Sequence, residues 1–95
     1  METQVSISEW AKRTFGPPAS VQAILDRFLE EVDELERLHP LDGYRLEDEC
    51  ADCLIVLYQV ATAAGFDLED AVYRKMQVNR ARQWSVKGDG TGQHK

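Results

Sequence analysis

LEDECADCLIVLYQVATAA, residues 46–64, decides how the rest of the chain is read. Its first turns carry Glu47, Asp48, Glu49 and Asp52. From Cys53 onward it is apolar except for Tyr58, Gln59 and Thr62. A run of this length with neither Gly nor Pro predicts a helix rather than a strand. A helix that is apolar around most of its circumference has to be covered on most sides. The stretch is therefore expected to be the central helix of a bundle, with carboxylates at its N-terminal end. Glu49 and Asp52 stand at i and i+3 and share a face. Asp52 adjoins the apolar segment, where an unpaired charge is costly, so whatever neutralises it is expected to bear on function.

The preceding helix is predicted over residues 20–38, with Ser20 as N-cap. Ile24, Leu25, Phe28, Val32, Leu35 and Leu38 recur at three- and four-residue spacing and give it one apolar side. Beside them run Glu30, Glu31, Asp33, Glu34 and Glu36, with only Arg27 and Arg37 to offset the charge. Like charges at i and i+4 weaken a helix, and a bound cation would relieve the repulsion. His39-Pro40 is expected to end the helix, and residues 41–45, with Asp42-Gly43, to form a short turn. A short connection makes the two helices antiparallel neighbours. Glu31 and Glu34 are then brought towards Glu49 and Asp52.

A short first helix is predicted over residues 8–15, capped by Ser6 or Ser8 and ended by Gly16-Pro17-Pro18. Trp10 and Phe15 either close one end of the core or lie over a ligand. Gly65 ends the central helix and Asp67 caps a fourth. On that fourth helix Lys75, Asn79 and Arg82 stand at i, i+4 and i+7, on one face. Residues 1–84 are read as a single helical domain. Residues 85–95, rich in Gly, are read as a loose tail. Gly88-Asp89-Gly90-Thr91-Gly92 lacks the spacing of a phosphate-binding loop.

A chain of 95 residues makes one domain, close to the size at which a lone core is barely sufficient. A net charge of −6 disfavours duplex nucleic acid, which calls for clustered Lys and Arg. The apolar run is too short to span a membrane and the N-terminus has no secretory pattern, so a cytoplasmic protein is expected. Cys50 and Cys53 form a CxxC, but there is no second CxxC and no placed histidine to complete a zinc set. The pair is read as packing on neighbouring helical turns.

Two carboxylate pairs on facing helices make a hard-oxygen site. Mg²⁺ takes such ligands, commonly together with substrate phosphate oxygens, and lowers the pKa of a bound water. A free carboxylate can orient that water or accept its proton. Lys75, Arg82 and Asn79 suit phosphates and sugar. Di-iron chemistry needs Glu-x-x-His pairs, which the chain lacks.

Glu31-x-x-Glu34, then fourteen residues, then Glu49-x-x-Asp52 resembles the ExxE…ExxD signature of the MazG-like all-α nucleoside triphosphate pyrophosphohydrolases. EEVDEL, residues 30–35, resembles that family's first metal-binding helix. Residues 49–84 resemble the second, with a Gly-hydrophobic-Asp helix start and a K-x-x-x-N-x-x-R ending. That ending fits the MazG branch better than the phosphoribosyl-ATP pyrophosphatases. The resemblance implies a four-helix bundle, one helix short, assembled as a dimer or dimer of dimers. It implies hydrolysis of an NTP or dNTP to the monophosphate and pyrophosphate, for nucleotide-pool house-cleaning, with Mg²⁺ as cofactor and Mn²⁺ able to substitute. By position it makes Glu31, Glu34, Glu49 and Asp52 the metal ligands and catalytic carboxylates. It selects Glu31 and Glu34 over the other i, i+3 pair, Glu30 and Asp33, and leaves open whether Glu30 lies near the metal. Lys75, Asn79 and Arg82 become the substrate-binding residues. The rival reading is a non-catalytic helical module that oligomerises or binds a partner helix, or a nucleotide sensor.

Overall fold

The computed structural model describes residues 1–38 and 43–95. Four helices follow one another: α1 (Gln4–Phe15), α2 (Val21–Glu36), α3 (Gly43–Ala64) and α4 (Leu68–Ala81). A hairpin of β1 (Trp84–Val86) and β2 (Gly92–His94) closes the chain.

Local chemistry sets these boundaries. α1 begins four residues before the expected start. Thr3 Oγ1 accepts from the Ser6 amide at 3.1 Å, and Ser6 Oγ accepts from the Thr3 amide at 2.8 Å, so each satisfies an otherwise unpaired donor. α2 starts where Ser20 Oγ accepts from the Ala23 amide, and stops at Glu36 rather than at residue 38. The expected stop at His39-Pro40 and the turn residue Asp42 lie outside the described residues. Gly43 and Arg45, expected in that turn, are instead the first residues of α3, which starts three residues early.

α3 ends as its sequence predicts. Gly65 adopts φ 87°, a conformation that L side chains resist. The Phe66 amide then reaches back to Ala61 O (3.0 Å) and the Gly65 amide to Thr62 O (3.1 Å), satisfying the last carbonyls. Asp67 caps α4 by accepting from the Asp70 amide at 2.9 Å. The axes of α3 and α4 turn by 96° at this corner.

α3 is the centre of the molecule. α2 packs along one side of it and α1 along another. The start of α1 is fastened to the far end of α3 by Gln4. Its Nε2 donates to Thr62 Oγ1 and Phe66 O, and its Oε1 accepts from the Leu68 amide at 2.8 Å, which is the first free N–H of α4. Ser8 Oγ meets Thr62 Oγ1 at 2.7 Å. α4 does not pack along the other helices; it projects beyond the corner.

The core within one chain is small. Among the described residues only Ala11, Val56 and Ala61 are buried apolar side chains. Trp10 and Phe15 do not close the core: they meet edge to face at 5.4 Å, and Phe15 stays 71% exposed. α3 is thus covered by two neighbours and not on most sides, and Leu54 faces outward. The chain exposes 7554 Å², about 2,000 Å² more than surface scaling gives for a compact monomer of this length. Its radius of gyration is 15.8 Å, against about 12 Å for a compact domain.

The tail expected to be loose is paired. Trp84, Ser85 and Val86 lie opposite His94, Gln93 and Gly92. The turn is held by Asp89, whose Oδ1 accepts from the Thr91 amide (3.0 Å) and hydroxyl (2.6 Å). Gly92 is required there, since a Cβ would sit 2.5 Å from Ser85 O. Trp84 Nε1 donates to Asn79 O and ties the hairpin to α4.

Candidate active site

The antiparallel packing of α2 on α3 brings Glu31 to Glu49 and Asp52. One carboxylate oxygen from each lies within 4.8 Å of the other two. Burial decreases across the three: Glu31 is 4% exposed, Glu49 is half-buried and Asp52 is open to solvent. The cluster thus has a dry wall on α2 and a wet mouth on α3.

Three negative groups this close repel one another, and two of their oxygens have no hydrogen-bond partner. Glu31 Oε2 and Glu49 Oε2 are both buried and unpaired among the described residues. A buried polar atom without a partner costs about 1–3 kcal/mol. Burial pushes the pKa of Glu31 above the ordinary carboxylate range. Arg27 opposes the shift, while the charges of Glu34 and Asp52 add to it. A hard divalent cation would satisfy both orphaned oxygens and remove the repulsion, so this donor set fits one.

Of the four carboxylates singled out in the sequence, three converge. Glu34 is exposed and lies outside the trio, although its influence on Glu31 places it alongside. Glu30, left open by the sequence, points away: its side chain is 68% exposed and pairs with Arg27 at 3.3 Å. Cys53 sits beside the trio as a thiol. Burial raises its pKa, and the charges of Glu31, Cys50, Glu49 and Asp52 act in the same direction. That disfavours the thiolate needed for redox or metal chemistry. Both cysteines are free; Cys53 is partly buried, in keeping with packing, but Cys50 is exposed and does not pack within this chain.

Lys75, Asn79 and Arg82 are not brought to the carboxylates. Among the described residues no ion pair or hydrogen bond joins them to Glu31, Glu49 or Asp52, because the corner at Gly65 carries α4 away from α2. Lys75 and Arg82 are exposed. Asn79 Nδ2 approaches Met76 Sδ at 3.8 Å, and its Oδ1 is buried without a partner.

Arg27 adjoins the carboxylate cluster, a neighbour that the carboxylate spacing alone does not single out. Its guanidinium pairs with Glu31 Oε1 through Nη2 and with Glu30 Oε2 through Nη1. The i, i+4 and i, i+3 spacings of an Arg and two Glu on one helix were a readable signal. A cleft of about 490 Å³ also runs between α1 and α3, lined by Ser8, Phe15, Pro17, Ile24, Gln59 and Thr62. Gln59 follows Asp52 by seven residues on the same side of α3, which is about 10 Å along the axis.

Fold and site together define an all-α bundle protein with a carboxylate cluster suited to a hard divalent cation. A family model described as dATP/dGTP pyrophosphohydrolase matches residues 4–95. A dATP/dGTP diphosphohydrolase of Salmonella phage PMBT28 is 40% identical over 93 residues, which are 98% of this chain and 30% of that protein. The chain therefore spans under a third of the length of that relative. A dATP/dGTP diphosphohydrolase of Cyanophage S-2L is 33% identical over 97 residues, covering 98% of this chain and 85% of the relative. Among solved structures, the Cyanophage S-2L MazG-like pyrophosphohydrolase bound to dGDP and three catalytic Mn²⁺ ions per active site superposes with a TM-score of 0.77. That match has 30% identity and covers 97% of this chain and 88% of that one. The chain belongs to the dATP/dGTP pyrophosphohydrolase family.

Proposed function

We propose that the protein hydrolyses purine deoxynucleoside triphosphates, dATP and dGTP, to the monophosphate and pyrophosphate, and so removes them from the nucleotide pool. The observation that carries this reading is the convergence of Glu31, Glu49 and Asp52 with two buried, unpaired oxygens. Family membership supports the nucleotide, and the names of the phage relatives support the purine deoxynucleotide.

Glu31, Glu49 and Asp52, joined by Glu34 from the adjacent turn, hold the divalent cations, Mg²⁺ with Mn²⁺ able to replace it. When bound, these ions neutralise polyphosphate charge and lower the pKa of a water. The residues divide the remaining work by their burial. Glu31, walled in by α2, fixes the position of the cluster. Asp52, open to solvent, is the group able to accept a proton from an attacking water. The nucleoside lies along the cleft between α1 and α3, whose Gln59 stands about 10 Å along α3 from Asp52. Lys75, Asn79 and Arg82, carried away from this chain's own carboxylates by the Gly65 corner, are assigned to the phosphates and sugar of a nucleotide bound where a second copy brings α4 to the site.

Assembly as a dimer or dimer of dimers belongs to the same reading. The excess exposed surface is of the size that a specific interface buries. Leu54, Phe66, Val72, Met76 and Val78 on α3, the corner and α4 are the exposed apolar groups that a second copy would cover. Sedimentation as a monomer at micromolar concentration would contradict it.

The deciding experiment is a panel of all common NTPs and dNTPs with Mg²⁺ or Mn²⁺, scored for pyrophosphate and monophosphate. Equimolar release from dATP and dGTP, exceeding that from pyrimidine nucleotides, is expected. A folded sample that turns over no nucleotide, or releases only orthophosphate, refutes the proposal.

A further inference from the structure

We infer that Arg27 is a built-in competitor of the metal: its guanidinium and the divalent cation contend for the Glu31 carboxylate. The inference rests on the assignment of Glu31 as a metal ligand. Three observations carry it. Arg27 Nη2 donates to Glu31 Oε1, an oxygen of the most buried carboxylate of the trio. The other oxygen, Oε2, is buried and unpaired, so the guanidinium engages only half of the group. The Arg27 side chain is itself 51% exposed and already touches a second acceptor, Glu30 Oε2, at 3.3 Å on the solvent side.

Chemistry turns this arrangement into a competition. A guanidinium and a divalent ion both seek the lone pairs of one carboxylate, and their positive charges repel within a few Å. Glu30 gives the displaced guanidinium a place to rest one position away on the same helix. The exposed Arg27–Glu30 pair is weak, so it receives the side chain without trapping it. Arg27 therefore keeps a buried carboxylate paired when no metal is present, and it lowers metal affinity in return. A residue that merely oriented Glu31 for the metal would have the opposite effect, raising affinity.

The sign of that effect is the test. Mn²⁺ binding to the chelator-stripped full chain is titrated by the EPR signal of free Mn²⁺, for wild type, Arg27→Gln, Arg27→Lys and Glu30→Gln. Arg27→Gln is expected to tighten Mn²⁺ binding by roughly tenfold, as the loss of a unit charge beside the ion requires. Arg27→Lys should tighten it by less. Glu30→Gln, which removes the resting place, should weaken it by about twofold. Without metal, Arg27→Gln should melt below wild type, and saturating Mn²⁺ should close the gap. If Arg27→Gln does not fold without metal, Arg27→Lys carries the test alone. Affinity that is unchanged or weaker in the Arg27 variants overturns the inference and leaves the metal site standing. Absence of Mn²⁺ binding by folded wild type overturns the metal site itself.

Discussion

Glu31→Gln removes one charge from the driest position in the site and leaves its shape almost unchanged. In wild type the ionised carboxylate is 4% exposed and has one oxygen unpaired. The effective penalty for burying a carboxylate is several kcal/mol. The hydrogen bond from Arg27 returns about 1.5–3 kcal/mol, as bonds to charged groups do. Repulsion from Glu34 and Asp52 disappears with the charge. A buried neutral amide costs less than a buried ion, so the variant is expected to be more stable than wild type in chelator, by about 1–2 kcal/mol. For a domain of this size that is a rise in Tm of about 5–10 °C. The same variant should lose the stabilisation by Mn²⁺ and the pyrophosphohydrolase activity. The assay is thermal and urea unfolding of both proteins, in chelator and in saturating Mn²⁺. A variant less stable than wild type in chelator would refute the reasoning, since it would mean that the Arg27–Glu31 pair outweighs desolvation. An Mn²⁺-induced shift equal to that of wild type would show that Glu31 is not a ligand.

The raised pKa of Glu31 adds a pH signature. The folded state favours the protonated carboxyl, so this group's stabilising share is complete below its unfolded value of about 4.3. It is lost as pH rises through the folded pKa. In chelator the stability gap between Glu31→Gln and wild type should therefore widen from about pH 4.3 upward; a gap that narrows would contradict the burial of this charge. Asp52→Asn, at an exposed position, should change stability by less than about 0.5 kcal/mol and abolish turnover, and wild-type rates in that variant would remove Asp52 from the site. Gln4→Ala takes away both donors to α3 and the corner and the acceptor for the Leu68 amide. It should cost about 1–3 kcal/mol and speed amide exchange at the start of α1, and unchanged exchange there would show that the contact does not hold the helix.

The parts of the fold legible in the sequence were those written in local chemistry. Ser20, Gly65 and Asp67 are terminators whose side chains or φ values act within four residues, and each works where it was placed. The convergence of Glu31, Glu49 and Asp52 followed from two i, i+3 pairs and an antiparallel contact. The sequence pattern starts α1 too late because Thr3 and Ser6 form a reciprocal cap with Ser in the place usually held by Glu or Gln. The hairpin was missed because its strands are three residues each, too short for an alternating pattern to register. Lys75 and Asn79 share a face of α4, as read, whereas Arg82 falls just past its end in extended backbone, and the distance of all three from the carboxylates depends on a 96° corner that no periodicity encodes. The covering of α3 failed for a related reason: an apolar surface in a sequence declares a need for burial without saying what provides it.

The Gln4 clasp fixes the order in which the chain can close during synthesis. α1 is synthesised before α2 and α3, but the groups that receive its N-terminal end, Thr62, Phe66 and Leu68, are made last among the first three helices and their corner. At 5–20 residues per second they follow roughly 3–13 s later. Until then Gln4 has neither its acceptors nor its donor, and α1 has only the middle of α3 to lean on. A nascent chain ending at residue 60 should be cut by protease within α1 far faster than the full chain, and equal protection would mean that α1 seats without its clasp.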